Sequence, residues 1–133
     1  MKIFGIAYVA TLLSFLIIDS IWLGLVARNF YRDQLGSLML PSPNFVVAAA
    51  FYLFFAAAIV ILAVRPGLDA GSAIAAIGFG AVLGLAAYGT YDMSNLATLK
   101  GWPLTLSVVD MAWGTVLTGV ASGCGYAAAR YFS

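Results

Sequence analysis

The chain has 133 residues, 64% of them hydrophobic and 8% charged, with a formal net charge of +1 and a mean hydropathy of +1.05. A water-soluble domain carries roughly 25% charged residues at its surface, so a chain this poor in charge has lipid as its solvent. The near-neutral balance excludes nucleic acid as a partner, and there is no His or Glu and a single cysteine, Cys124. That excludes histidine-ligated haem, a Ser-His-Asp triad, a helical zinc motif, an EF-hand loop and an intrachain disulfide.

The first apolar run covers residues 3–27, between Lys2 and Arg28. It is too long for a signal-peptide core of roughly 7–15 residues, and Asp19 inside it argues for a permanent span. The connection that follows, Arg28 to Ser42, interleaves Phe30, Tyr31, Leu35, Leu38 and Met39 with Arg32, Asp33 and Gln34. This pattern fits an amphipathic segment at the membrane surface or an irregular polar loop. A second run, residues 44–64, starts at Ser42-Pro43-Asn44 and is expected to end at Arg65-Pro66-Gly67, since proline breaks helices.

Ser72 is a plausible N-cap for a third run, residues 72–99, closed by Lys100. Trp102-Pro103, an interfacial aromatic with a helix-starting proline, opens the fourth, residues 103–129. Each run reaches the roughly 20 residues needed to cross hydrocarbon, and in lipid the backbone must bond within its own segment. The reading is an all-α integral membrane four-helix bundle forming one transmembrane domain over residues 1–133. Both termini then lie on one side, the first side, with Lys2, Arg65 and Arg130; Arg28, Arg32 and Lys100 lie on the second. The charges tie, so the positive-inside rule sets no orientation.

Counting from the second-side ends places three acids at one depth. Asp19 precedes Ala27 and Asp110 follows Trp102 by the same number of residues, about 12 Å along a helix; Asp92 joins them at that spacing before Lys100 if the third helix runs on past Tyr91, and sits at the rim if it stops there. Tyr52 follows Asn44 at the same spacing and reaches a similar level. Ala76, Gly80, Gly84, Tyr88 and Asp92 recur every fourth residue, as do Asp110, Gly114, Thr118 and Ser122. Small-residue stripes of this kind let membrane helices approach closely, and each runs into an Asp, so the acids face the bundle. The spacing Asp19-x-x-Trp22 returns as Asp110-x-x-Trp113, while Asn95 lies one turn beyond Asp92.

A charged Asp at a helix centre costs roughly 2.5–3.5 kcal/mol on insertion scales, so the acids need a proton, neighbouring donors or a bound cation. Two readings stay open. In one, Tyr52, Tyr88, Tyr91, Trp22 and Trp113 merely satisfy the acids and fasten the bundle. In the other, Asp19, Asp92, Asp110, those aromatics and Asn95 form a site for a cation, a proton or a small polar or lipid ligand. As an enzyme, the bundle would act on a membrane lipid, with an Asp as general acid or base or with the acids and Asn95 holding a hard divalent cation. As a structural subunit, it would serve a larger membrane complex. The pairs Gly80-x-x-x-Gly84 and Gly119-x-x-x-Gly123 suit either a homodimer face or packing inside one chain. Cys124, among Ser122, Gly123 and Gly125, has no base beside it and reads as a packing residue.

The run Tyr88-Gly89-Thr90-Tyr91-Asp92-Met93-Ser94-Asn95-Leu96-Ala97, then Trp102-Pro103 and Asp110-Met111-Ala112-Trp113-Gly114, resembles a bacterial family of four-span membrane proteins catalogued only as a domain of unknown function. Asp19-Ser20-Ile21-Trp22-Leu23 and Phe30-Tyr31 fit the same family. The resemblance covers nearly the whole chain. It implies a multi-pass protein of the bacterial inner membrane and supplies no catalytic residue.

Overall fold

The computed structural model describes residues 1–133 and contains helices and connecting turns, with no strand. Four helices are long and apolar enough to span a membrane: Lys2–Val26, Phe45–Ala70, Ala73–Thr98 and Leu104–Tyr131. Of the 107 backbone hydrogen bonds, 95 lie within helices, as a solvent without donors or acceptors demands. The first span is α1 (Lys2–Ile21), prolonged by a wider π-helical turn over Trp22–Val26. The connection carries a surface helix, α2 (Arg28–Leu35), and a short 3₁₀ turn, Gly36–Leu38. Of its two readings, the helical one is what the chain adopts: Phe30, Tyr31, Gln34 and Leu35 are half-buried, while Arg32 and Asp33 face outward.

The second span corrects the expected stop. It runs as α3 (Phe45–Ile59), a π turn over Val60–Val64 and α4 (Arg65–Ala70), passing straight through Pro66. Proline lacks an N–H and its ring crowds the carbonyl one turn back. The wider turn just before Pro66 reseats those carbonyls, so the helix continues to Gly71, whose φ of 63° forms the C-cap. The third span, α5 (Ala73–Thr98), is capped by Ser72, whose hydroxyl accepts from the Ala75 N–H at 3.1 Å. It carries Asp92 well inside its C-terminal end. The fourth, α6 (Leu104–Tyr131), follows Pro103.

α5 and α6 form the closest pair, and the stripes explain why. The buried residues of α5 are Ala76, Gly80, Gly84 and Asp92; Asp110, Gly114, Thr118 and Ser122 are buried on α6. A Cβ at Gly84 would strike the Gly114 carbonyl and the Thr118 side chain, and one at Gly80 would strike Ser122. Gly119 and Gly123 face Ile77 of α5, so both glycine pairs serve packing within this chain. Ser122 donates to the Ala76 carbonyl at 2.7 Å and pins the two helices together. α1 lays Ala7, Thr11, Phe15 and Asp19, again every fourth residue, against the bundle.

The second span is attached unevenly. Its π turn buries Val60, Ala63 and Val64 against α1, α5 and α6. Its second-side half stands away, packing closely only on α1, and Phe45, Val46 and Phe54 are each more than two-thirds exposed.

Candidate intramembrane carboxyl site

Both oxygens of Asp19 are partnered. Oδ2 accepts from the Tyr52 hydroxyl and Oδ1 from the Trp113 indole N–H, each at 3.1 Å. Helical spacing sets up the next contact. One turn beyond Asp19, Trp22 meets Trp113, and the two indoles stack at 4.3 Å with planes 10° apart. The Trp22 N–H donates at 3.1 Å to the Tyr31 hydroxyl, which donates at 2.7 Å to Asp110 Oδ1. Asp19 and Asp110 are therefore linked through two tryptophans and a tyrosine rather than directly.

Asp92 is different. It is fully buried, and neither of its oxygens receives a donor from another residue. Its neighbour is the Asp110 carboxyl, close enough for one proton to bridge the two acids. Three acids thus present six carboxyl oxygens, and three protein donors reach them: Tyr52, Trp113 and Tyr31. All three donors go to Asp19 and Asp110.

The remaining candidates divide by position. Tyr88 packs its ring over Gly114, where any Cβ would collide with it. Tyr91 is 55% exposed and meets Trp102 edge-on at 5.6 Å, outside the hydrogen-bonded network. Asn95 is half-buried and joins none of the side-chain hydrogen bonds around the acids. No group of three His, Cys, Asp or Glu side chains is placed to hold a metal ion together. Asp19 is engaged at both oxygens by Tyr52 and Trp113, while Asp92 and Asp110 neighbour each other.

Tyr31 belongs to the site and was not among the residues singled out by depth counting. It sits on α2, outside the spans, and reaches Asp110 only because the π turn at Trp22–Val26 folds α2 back over the bundle. Burial pushes its hydroxyl well above the ordinary tyrosine range; the Trp22 N–H opposes that shift, and the hydrogen bond and charge of Asp110 add to it. Tyr31 therefore stays a neutral donor. The Phe30-Tyr31 step had pointed to it only as part of a motif.

Two clefts flank α3 where it stands away from the bundle. One, of about 350 Å³, opens between α3 and α5 and is lined by Phe51, Tyr52, Phe55, Ala87, Tyr88, Tyr91 and Asp110. The other, of about 490 Å³, opens between α1 and α3 onto Asp19 and Tyr52, beneath Leu16, Leu23, Pro43 and Phe45. Tyr52 lines both.

The family model described as predicted membrane protein (DUF2177) matches residues 4–127. The chain belongs to this family. Membership in DUF2177, a family of predicted membrane proteins of unknown function, agrees with the four spans. No curated protein and no solved structure matches the chain.

Proposed function

We propose that this DUF2177 protein is a binding protein of the bacterial inner membrane whose aspartates hold a small polar or lipid ligand between the helices. The observation that carries the reading is Asp92: a fully buried carboxyl on a spanning helix without a donor from any other residue. An acceptor left without a partner in a low-dielectric interior costs about 1–3 kcal/mol, and a helix bundle built only for stability would place an apolar residue there. Ionisable groups inside a membrane mark ligand or proton sites by default. The clefts beside α3 give such a ligand a route from the membrane, and membrane lipid is the partner in reach. A homodimer would form through the lipid-facing surfaces, since the glycine pairs are used inside the chain.

Native mass spectrometry of the purified chain tests this. The wild type retains a bound small molecule or lipid, and Asp92→Asn and Asp110→Asn release it. Equal retention by all three proteins would remove the binding reading. A lipid-modifying activity at the same place is the second reading, favoured by the adjacency of Asp92 and Asp110, the arrangement of a shared-proton acid–base pair. Lipid profiling of a deletion strain decides it, and an unchanged lipidome rules the activity out.

A further inference from the structure

We infer that the ligand of the Asp92–Asp110 pair is an uncharged lipid with a hydroxyl head, entering sideways from the membrane between α3 and α5. The inference rests on the binding reading above and names the ligand class and the entrance.

The entrance follows from how the clefts meet the acids. The cleft between α1 and α3 leads to Asp19, whose two oxygens already accept from Tyr52 and Trp113. The cleft between α3 and α5 leads to Asp110, whose Tyr31 donor occupies Oδ1 alone and whose neighbour Asp92 has no donor from another residue. Its outer wall includes Phe51, 53% exposed on the lipid-facing surface. A chain can thus lie in the bilayer beside Phe51 and Phe55 while its head reaches Asp110, the member of the acid pair that lines the cleft. At about 350 Å³ the cleft sits at the small end of small-molecule sites, room for a head and the first part of a chain.

Charge and depth select the head. The acid pair offers acceptors and needs a donor, which excludes fatty-acid carboxylates and phosphates, because like charges repel and no Lys or Arg lies at that level of any span. Asp92 and Asp110 lie six residues inside their helix ends, Thr98 and Leu104, roughly 9 Å deep. A phospholipid head would have to leave the interface to reach them, and burying a charged head costs far more than burying a hydroxyl. A hydroxyl donates one hydrogen bond and accepts others. It can donate to the Asp110 carboxyl and accept from the Tyr88 hydroxyl, which lines the same cleft and has no hydrogen-bond partner of its own.

The test uses the full chain in lipid nanodiscs with a diazirine-bearing hexadecanol as the probe. Photolabelling is expected on Phe51, Phe55 and Ala87, with unlabelled hexadecanol competing at least about tenfold better than hexadecanoic acid or hexadecylamine. Ala87→Trp, which fills the cleft without touching an acid, should cut labelling about tenfold, as should Asp110→Asn. Should Ala87→Trp fail to fold, Ala87→Leu and the competition series carry the test. Labelling spread evenly over lipid-facing positions such as Val108 and Val116, or equal competition by the acid or the amine, would overturn the inference. If Asp110→Asn loses its native ligand while hexadecanol fails to compete, the lipid assignment falls and the binding site stands. If the Asp variants bind everything as the wild type does, both fall.

Discussion

Among the three buried acids, Asp92 is the one whose oxygens accept from no hydroxyl or N–H. Asp19 is satisfied by an indole and a phenol, and Asp110 by a phenol, but Asp92 has only its fellow acid. Replacing it with Asn keeps the shape and supplies an N–H₂ that donates to Asp110 with no proton needed. Asp92→Asn should therefore be at least as stable as the wild type, by up to about 1 kcal/mol in thermal unfolding. A loss of stability would mean that the carboxyl is better bonded than its neighbours indicate. Tyr31 makes a complementary case, because its raised ionisation keeps the phenol neutral in the folded chain. A raised folded value stabilises the protonated form, so this contribution is complete below the unfolded value near 10 and is lost only as pH rises beyond it. The stability difference between wild type and Tyr31→Phe is thus expected to be constant between about pH 7 and 9. Above about pH 10 the difference should fall as the unfolded phenol ionises, and a difference that stays flat there would indicate an ordinary, solvent-exposed phenol.

At the scale of helices, the every-fourth-residue stripes were legible because close approach between membrane helices demands small side chains at fixed intervals. Gly84 is the sharpest instance, lying where any side chain meets the Gly114 backbone and Thr118. Gly84→Leu should push α5 off α6 and cost at least about 1–3 kcal/mol, read as a lower melting temperature in detergent. An unchanged melting temperature would mean that the two helices do not meet there. The depth of Asp92 was legible only in part, since 1.5 Å per residue fixes it once the helix end is known, and it is the structure that carries α5 on to Thr98. Two things were not legible. Pro66 read as a stop because proline normally is one, and only the π turn at Val60–Val64 lets the helix run through it. Tyr31 escaped notice because its contact spans 79 residues and depends on how α2 folds back, a tertiary fact that no local period encodes.

For the molecule as a whole, the second span is the least legible element and the one that borders both clefts. Its residues are apolar on every face, and lipid tails are as apolar as a protein core, so composition does not say which side packs inward. The structure answers by wedging Ala63 and Val64, both fully buried, into the first-side half and leaving Val47 63% exposed on the other. Ala63→Leu should then cost about 1–3 kcal/mol by overpacking, whereas Val47→Ala should stay within about 0.5 kcal/mol. Comparable losses for both would contradict this one-sided attachment. The same asymmetry makes one hydroxyl the fastening of the looser half: Tyr52 reaches Asp19, while its neighbours Phe51 and Leu53 are each more than half exposed. Tyr52 is thus a single polar rivet in an apolar seam, joining the second span to the first at the level of the acids.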